Sequence, residues 1–599
     1  MITTVRRYRT FSVFLPIFKR PIDYVKCKAV IDKNGSYSHG GLLTAAKSLA
    51  IEISDMLKGR KQERVAYFVP HSAELIIITW AIWMSGQIAV PLPADYPEIA
   101  HEYFIIDSDS NLLVSSEEHK RQAEALKQRT KVPLLLVSPK LKDMAVYKVI
   151  PDPHSQTRTV VDDSVFKHLK LSDLGQSDSF YKKATALIVY SSGTTPKGVV
   201  FTHSSLHAQA ASLVEAWRIS KRDCLLMALP MERGLIMMSY LSPLTVGSRV
   251  IILEHLKPEN IWIHVLGLRR EKSERPNIIL TRSYLLPQLI KVYDKCLKKT
   301  ERIVDHIRTK CMDQVRFFSV GNGPVTRKVF QSWEDITGHQ ILSRFSMTET
   351  GIIMCVPIYG GRSSSSTVGL PMPGLHVRIT NENGIGLVAE GSRAGTRVLG
   401  GSQPVSGLLE VRGENILSGY WRKPTTTNEV MSRDGWFRTA DLVKYSRGMY
   451  SILGKFTADI YRRGDQRYSI PLIEAIIMDN EHVKEVAVLE NRLLDETKLL
   501  AFVVADGKIS LADLNKWMSV EIPDQPIHAE LVDAIPKNWS GKKNRQKILE
   551  LFDQQLKAQY LKEKSEKEQG RISTPISLSQ KQSLQVASGQ LPKSGQPGG

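Results

Sequence analysis

The sequence predicts an α/β fold in which helices alternate with the strands of a largely parallel sheet. Two helix-to-strand successions near the start of the chain carry this prediction: "YSHGGLLTAAKSLAIEISDML" precedes "RVAYFVP", and "AELIIITWAIWMSG" precedes "IAVPLP". Helical spacing that alternates with short β-branched runs favours parallel pairing with crossover helices. The 599 residues, 42% of them hydrophobic, are enough for roughly three to four domain-sized units.

The same patterning predicts how the chain is divided. Beyond Lys455 a smaller unit carries the strands "EVAVLE" and "LLAFVVA". The last part of the chain is polar and poor in apolar residues, so it cannot bury a core. We therefore predict a large domain over residues 23–454, a small domain over 455–558 and a disordered tail over 559–599.

The first 22 residues have the composition of a mitochondrial transit peptide. Basic and apolar residues interleave, no acid precedes Asp23, and the apolar run "VFLPIF" is short for a secretory signal. A merely basic, disordered terminus is the alternative. A transit peptide predicts a location in the mitochondrial matrix, which the net charge of +20 also suits.

Composition argues against several classes of protein. The basic residues are spread along the chain without the aromatic or zinc-finger patterns of nucleic-acid binding, so no nucleic-acid partner is expected. The five scattered cysteines show no metal-binding spacing and favour a reducing compartment. The longest uncharged apolar stretch, from Leu75 to Val90, is shorter than the ~20 residues of a membrane span. We expect it to be a buried helix that runs into a strand.

A hydroxyl-rich loop follows the buried strand "TALIVY". Backbone amides, hydroxyls and one lysine in such a loop can donate to phosphate oxygens. It is not a Walker A loop, because no Gly-Lys-Ser/Thr stands at the required interval, and a plain turn is the alternative. The candidate phosphate-binding residues are Ser191, Ser192, Gly193, Thr194, Thr195, Lys197 and Gly198.

Three later segments add residues suited to nucleotide chemistry. In "RFSMTETG", Thr348 and Glu349 offer a hydroxyl and a carboxylate to a phosphate-bound Mg²⁺. In "DGWFRTADLV", Asp441 could accept hydrogen bonds from ribose hydroxyls. In "IPKNWSGKKNRQKIL", Lys542 follows a Ser-Gly turn near the end of the folded chain.

In this order and spacing, these segments resemble those of the adenylate-forming superfamily, which includes acyl-CoA synthetases, peptide-synthetase adenylation domains and firefly luciferase. The resemblance covers roughly residues 30–555. It implies a large N-terminal adenylate-forming domain with mixed, largely parallel sheets and a small, mobile α+β C-terminal domain. Within the superfamily, "WAIWMSGQIAVPLPADYP", "WEDITGHQIL" and "DGWFRTAD" look most like the mitochondrial malonyl-CoA synthetases.

The resemblance implies a two-step ligase that uses ATP, Mg²⁺ and coenzyme A. A carboxylate attacks the α-phosphate of ATP and releases pyrophosphate, and the thiol of coenzyme A then displaces AMP. The catalytic cation of the first step would be Lys542, and Glu349 with Thr348 would hold the metal. The loop would hold the β and γ phosphates. The remaining implied ATP-binding residues are Asp441 and Lys455 at the ribose, and Gly321, Asn322 and Gly323 at the adenine.

Several positions depart from the superfamily pattern. The loop is two residues shorter than in relatives, because Thr195 runs directly into Pro196. The stretch "MERGLIMM" replaces the usual histidines of the acyl pocket, and Asp465 stands at a glycine of the coenzyme A region. Two alternatives therefore stay open beside the ligase: a non-catalytic scaffold that binds nucleotide, and an enzyme that adenylates without coenzyme A.

The expected substrate is a small or medium carboxylic acid, with malonate or methylmalonate as the best guess. A dicarboxylate needs a second anion partner, and a guanidinium fits a carboxylate in a bidentate way. Arg316, in "QVRFFSVGNGP", occupies the position at which the malonyl-CoA synthetases place such an arginine. An ordinary arginine at the start of a strand is the alternative.

Overall fold

The computed structural model arranges the chain as two compact units that divide between Phe456 and Thr457. This division lies two residues beyond the boundary that the sequence predicts. The described residues are 11–151, 159–193, 195–229, 236–268, 271, 274–361, 364, 367–401, 403–463, 466–491, 498–523, 527–538 and 541–551.

Many helices begin at a side chain that caps their first turn. Ser38 accepts a hydrogen bond from the amide of Gly41, and Thr202 accepts one from the amide of Ser205. The α-helices are α1 His39–Met56, α2 Ala73–Met84, α3 Glu98–Asp107, α4 Lys120–Thr130, α5 Lys140–Ala145, α6 Asp178–Lys183, α7 His203–Trp217, α8 Ile236–Leu244, α9 Pro258–Val265, α10 Leu285–Val292, α11 Glu301–Gln314, α12 Arg327–Thr337, α13 Pro424–Val430, α14 Ile470–Ile477 and α15 Leu511–Glu521.

The first unit also contains the strands β1 to β24. They are β1 Lys28–Asp32, β2 Gly35–Ser38, β3 Arg64–Phe68, β4 Ile88–Pro91, β5 Leu112–Ser116, β6 Leu134–Val137, β7 Val149–Pro151, β8 Thr159–Val161, β9 Thr185–Tyr190, β10 Gly198–Thr202, β11 Cys224–Met227, β12 Arg249–Ile252, β13 Ile278–Arg282, β14 Phe317–Gly321, β15 Ile341–Met347, β16 Gly351–Cys355, β17 Leu370–Pro371, β18 His376–Thr380, β19 Leu387–Ser392, β20 Gly395–Val398, β21 Val405–Arg412, β22 Gly419–Tyr420, β23 Phe437–Ser446 and β24 Met449–Lys455.

Two large mixed sheets dominate the first unit. One has the order β17-β16-β15-β14-β13-β11-β12-β1-β2, and the other has the order β22-β10-β9-β4-β3-β5-β6. Their central strands pair in parallel, whereas β16, β17, β2, β10 and β22 join in antiparallel fashion at the edges. A third, antiparallel sheet has the order β20-β19-β18-β21-β23-β24. The predicted α/β class with mixed, largely parallel sheets is therefore confirmed.

The second unit is a small α+β domain, as predicted. Its strands are β25 Ile460–Arg463, β26 Gln466–Ser469, β27 Val483–Asn491, β28 Lys498–Ala505 and β29 Ile527–Leu531. The last three form one sheet, with α14 and α15 supplying apolar residues to the same core.

The apolar stretch from Leu75 to Val90 folds as the sequence predicts. It forms the almost wholly buried helix α2 and then strand β4. Helix α2 has 12 residues, which span about 18 Å against a hydrocarbon thickness of about 30 Å. Within the described ranges, no helix is long and apolar enough to cross a membrane.

Residues 11–24, here called the N-terminal strap, pack against the core of the first unit. Phe18 is fully buried, and its ring contacts those of Trp83 and Tyr181. Lys19 places its Nζ 2.9 Å from a carboxylate oxygen of Asp178. The strap therefore includes the last twelve residues of the predicted transit peptide, whereas residues 1–10 lie outside the described residues.

Replacing Phe18 by alanine tests whether the strap belongs to the folded protein. We expect a loss of about 3–5 kcal/mol in the free energy of unfolding, as for other buried phenylalanines. Val13→Ala is the matched control, because Val13 is 73% exposed in the same strap, and it should change stability by less than about 0.5 kcal/mol. Urea unfolding followed by tryptophan fluorescence measures both. Equal stability of the two variants would show that the strap does not contribute to the fold.

Candidate functional site

The hydroxyl-rich loop connects β9 to β10, which are antiparallel neighbours. The Ser191 amide donates to the Lys197 carbonyl at 3.0 Å, and the Lys197 amide donates to Ser191 Oγ at 3.0 Å. Gly193 and Thr195 are exposed and Ser192 is half-buried, while Thr194 lies outside the described residues. The two mutual hydrogen bonds close the loop and leave its tip toward solvent.

Side chains of helix α3 form hydrogen bonds with both ends of the loop. The Tyr103 hydroxyl donates to the Pro196 carbonyl at 3.0 Å. The Tyr190 hydroxyl, at the end of β9, donates to Asp107 Oδ2 at 2.8 Å. Burial, followed by the charge of Asp107, raises the pKa of Tyr190, which therefore remains a hydrogen-bond donor. The loop is thus fixed to the helix at both ends.

Gly198 marks a close approach between β10 and the segment that follows β22. A Cβ atom at Gly198 would come within 3.1 Å of the Ile188 side chain and 3.2 Å of the Trp421 Cβ atom. The Trp421 amide also donates to the Gly198 carbonyl at 2.7 Å. The missing side chain therefore lets the two segments meet.

Tyr420 connects the loop to the predicted Mg²⁺ ligand. The Nζ atom of Lys197 lies 5.0 Å from the centre of the Tyr420 ring, within the range of a cation–π contact. The Tyr420 hydroxyl donates to Glu349 Oε1 at 3.1 Å. Burial and then the Glu349 charge raise the pKa of Tyr420. No role was predicted for Tyr420 from the sequence.

Thr348 and Glu349 stand in the turn between β15 and β16 and are half-buried. The Leu417 amide donates to the Glu349 carbonyl at 2.8 Å and fixes this turn. Among the described residues, no group of three or more histidine, cysteine or acidic side chains could hold a metal ion. A single carboxylate fits Mg²⁺ bound largely through substrate phosphates and water.

The structure brings together the two residues predicted at the ribose. Asp441 and Lys455 face each other across β23 and β24, with Lys455 Nζ 2.8 Å from Asp441 Oδ2. Lys455 also donates to the Thr439 carbonyl at 2.7 Å, and the Asp441 amide donates to Thr439 Oγ1 at 3.1 Å. Asp441 is buried, so its carboxylate is held in one orientation.

The predicted adenine segment is a tight turn at the end of β14. Asn322 has φ +63° and Gly323 has φ +143°. A Cβ atom at Gly323 would come within 2.5 Å of Ser283 Oγ, so only glycine fits there. The Ser283 amide donates to the Gly321 carbonyl at 3.1 Å, and its hydroxyl donates to the Asn322 carbonyl at 3.3 Å.

The structure does not bring Arg316 to the other predicted site residues. Arg316 precedes β14, at the end opposite to Gly321. Its Nη1 lies 2.6 Å from Asp223 Oδ1, and its Nη2 donates to the Trp217 carbonyl at 3.1 Å. Asp223 is buried, so the guanidinium neutralises a structural carboxylate.

Two buried arginines that the sequence prediction missed lie at the Gly321 end of the sheet. Arg344 donates to Ser319 Oγ at 3.2 Å and to the Thr281 carbonyl at 3.0 Å. Arg282 ends β13, directly beside Gly321. Burial and then the neighbouring charge of Arg282 lower the pKa of Arg344 to about 10. In the described part of the chain, neither arginine has an acidic partner within ion-pair distance, and Arg282 Nε has no hydrogen-bond partner.

In the second unit, the structure distinguishes Lys542 from its neighbour Lys543. Asn538 Oδ1 accepts from the Lys542 amide at 2.9 Å, and the Asn538 amide donates to the Lys542 carbonyl at 2.7 Å. Lys542 is exposed at this turn. Lys543 is half-buried, with its Nζ 2.5 Å from Glu474 Oε2. Lys542 is therefore the lysine that the turn presents to solvent.

Some of the departures noted in the sequence fall outside the described residues. They include most of the replaced pocket segment "MERGLIMM" and Asp465. The predicted tail, 559–599, also lies outside them.

Comparison with known proteins gives consistent matches along the chain. Residues 20–421 match the family model of the AMP-binding enzyme, and residues 472–542 match that of the AMP-binding enzyme C-terminal domain. The mitochondrial malonate–CoA ligase of Xenopus laevis is 30% identical, with 92% of this chain and 94% of the relative covered. That of Mus musculus is 32% identical, with 89% of this chain and 90% of the relative covered.

Solved structures share the fold. The ATP-bound crystal structure of MatB from Rhodopseudomonas palustris superposes with a TM-score of 0.69 at 23% identity, and the match covers 90% of this chain and 98% of MatB. At this identity the likeness establishes the fold, including the presence of a small C-terminal domain.

Replacing Tyr420 by phenylalanine tests the bridge between loop and carboxylate. The change removes the hydroxyl that donates to Glu349 and keeps the ring beside Lys197. A hydrogen bond to a charged group contributes about 1.5–3 kcal/mol, so we expect ATP in the presence of Mg²⁺ to bind about tenfold or more weakly. Titration calorimetry measures the affinity, with the exposed Tyr359→Phe as control. An unchanged Kd would separate Tyr420 from nucleotide binding.

Proposed function

The chain belongs to the AMP-binding enzyme family and is an AMP-forming acyl-CoA synthetase, and on that premise we propose that it joins malonate to coenzyme A. The observation that carries the nucleotide part of this proposal is the bridge Lys197–Tyr420–Glu349, which unites the phosphate loop with the metal ligand. The comparisons give no support to a non-catalytic scaffold, because the curated relatives that match most of this chain are CoA ligases.

In the first step, a carboxylate oxygen of the acid forms a bond to the α-phosphorus of ATP. The bond from that phosphorus to the bridging oxygen breaks, and pyrophosphate leaves with the electron pair. Lys197 and the loop amides would hold the β and γ phosphates, and Lys542 would stabilise the charge that develops at the α-phosphate. Thr348 and Glu349 would hold Mg²⁺, which neutralises phosphate charge when it is bound.

The rest of the nucleotide would lie against β23 and β24 of the third sheet and against the end of β14. Asp441, held by Lys455, would accept hydrogen bonds from the ribose hydroxyls. The turn Gly321–Asn322–Gly323 would line the adenine, since its backbone approaches Ser283 without an intervening side chain. In the second step, the thiol of coenzyme A attacks the acyl carbonyl and AMP departs.

Malonate is the proposed acid, with methylmalonate as the nearest variant. Two relatives that match most of the chain are named malonate–CoA ligases. The second carboxylate of such an acid needs a cationic partner inside the site. We assign that role to Arg282 and Arg344 in place of Arg316, because two neighbouring buried cations with no described carboxylate within ion-pair distance favour a bound anion.

We further propose that the enzyme works in the mitochondrial matrix. The relatives of Xenopus laevis and Mus musculus are both named mitochondrial, and the first residues have the composition of a transit peptide. Since Phe18 is buried in the core, we place processing before the strap instead of after residue 22.

Release of pyrophosphate by the full chain tests the proposed reaction. The assay contains ATP, Mg²⁺ and one acid from a panel that runs from acetate through malonate and methylmalonate to octanoate, with and without coenzyme A. We expect release to be fastest with malonate and to continue past one turnover only with coenzyme A. Lys542→Ala should slow it by about 100-fold or more, as loss of a preorganised charge does. No release with any acid would contradict the proposal, and sustained release without thiol would indicate adenylation alone.

The choice of arginine is tested by Arg282→Met and Arg316→Met. Loss of a charge-assisted hydrogen bond to the second carboxylate should raise the KM for malonate about tenfold or more in Arg282→Met. The KM for propionate, which has no second carboxylate, should stay unchanged. Arg316→Met should lower the melting temperature, because it leaves the buried Asp223 carboxylate without its cationic partner, and it should keep both KM values. A raised KM for malonate in Arg316→Met, with an unchanged KM in Arg282→Met, would return the assignment to Arg316.

A further inference from the structure

A buried carboxylate anchors the turn that carries Lys542. Glu474, on α14, is 8% exposed. Its Oε2 accepts from Lys543 Nζ at 2.5 Å, and its Oε1 accepts from the Val488 amide at 2.9 Å. The Oε1 atom also lies 3.5 Å from Arg545 Nη2. The two cations thus come from the first and third residues after Lys542.

The same arginine connects the turn to the beginning of the second unit. Arg545 Nη1 lies 2.5 Å from Asp459 Oδ1 and donates to the Ala458 carbonyl at 3.4 Å. The Ile470 amide donates to the Asp459 carbonyl at 2.8 Å, which fixes Asp459 to the start of α14. The turn is therefore held on one side by a connected set of two carboxylates and two cations.

From this arrangement we propose that Glu474 is a positioning residue for Lys542, an inference that rests on the proposed role of Lys542 in adenylation. Lys542 is exposed, and the position of its backbone turn determines where its amine can reach. A displacement of about 1 Å at a catalytic group can cost about 100-fold in rate. The Glu474 carboxylate restrains that backbone through Lys543 and Arg545.

The proposal predicts different effects on the two half-reactions, adenylate formation and transfer to coenzyme A. Lys542 is needed where charge develops at the α-phosphate and has no proposed part in the attack of the thiol. Weakening the Glu474 anchor should therefore slow adenylate formation and spare the transfer to coenzyme A. A role confined to stability would lower both half-reactions together.

The test compares Glu474→Gln, Lys543→Met and Lys542→Ala in the full chain. Adenylation is measured as malonate-dependent exchange of labelled pyrophosphate into ATP, and transfer is measured with synthetic malonyl-adenylate and coenzyme A. We expect Glu474→Gln and Lys543→Met each to slow exchange about tenfold or more and to leave transfer within about twofold. Lys543→Arg, which keeps the charge, should restore exchange. Asp506→Asn is the matched control, because it breaks the contact between Asp506 and His482 elsewhere in the same unit.

The outcomes distinguish this inference from the proposed function. Exchange that is lost in Lys542→Ala and normal in Glu474→Gln would overturn the positioning role alone. Exchange that is normal in Lys542→Ala would overturn the proposed role of Lys542 itself. An equal loss of both half-reactions in Glu474→Gln and Lys543→Met, with Asp506→Asn unaffected, would assign the cluster to stability and reject the proposal.

Discussion

The pairing of a two-residue strand with the edge of a large sheet holds the candidate nucleotide site together. Val199 and Val200 of β10 pair with Tyr420 and Gly419 of β22. This pairing places the Tyr420 ring beside Lys197 and its hydroxyl on Glu349. The loop, the tyrosine and the carboxylate come from three separate parts of the chain. Backbone hydrogen bonds between β10 and β22, together with the one from the Leu417 amide to the Glu349 carbonyl, bring them into register. Although it is short, the pairing also gives hydrogen-bond partners to backbone groups of β10, which would otherwise form an unpaired edge of the sheet.

The sequence predicted those features that depend on local spacing. The α/β class and the buried helix α2 with its following strand follow from apolar periodicity, and the structure has them. The α+β character of the small unit, which the structure also has, was implied by the resemblance. Asp441 and Lys455 were both predicted to lie at the ribose, and in the structure they face each other on neighbouring strands. The resemblance supplied this pair, because periodicity alone gives no register between strands.

The sequence did not allow us to predict at which end of a strand a residue lies. Arg316 and Gly321 are five residues apart, but they stand at opposite ends of β14. Arg282 and Arg344 are far apart in sequence, and the parallel order of β13, β14 and β15 makes them neighbours. Their charge compensation also differs, because Asp223 neutralises Arg316 whereas no carboxylate of the described residues lies within ion-pair distance of Arg282 or Arg344. Neither topology nor burial can be read from composition.

The N-terminal strap also imposes an order on folding. His207 contacts the carbonyl of Leu15, 192 residues earlier in the chain, at 3.2 Å. Contacts at such separation form late, because a long loop must close before they contribute. The strap residues are thus among the last to reach their final positions. Until α7 has formed, Phe18 has no complete pocket, because its ring also contacts His203 of that helix, and the strap remains available to other proteins.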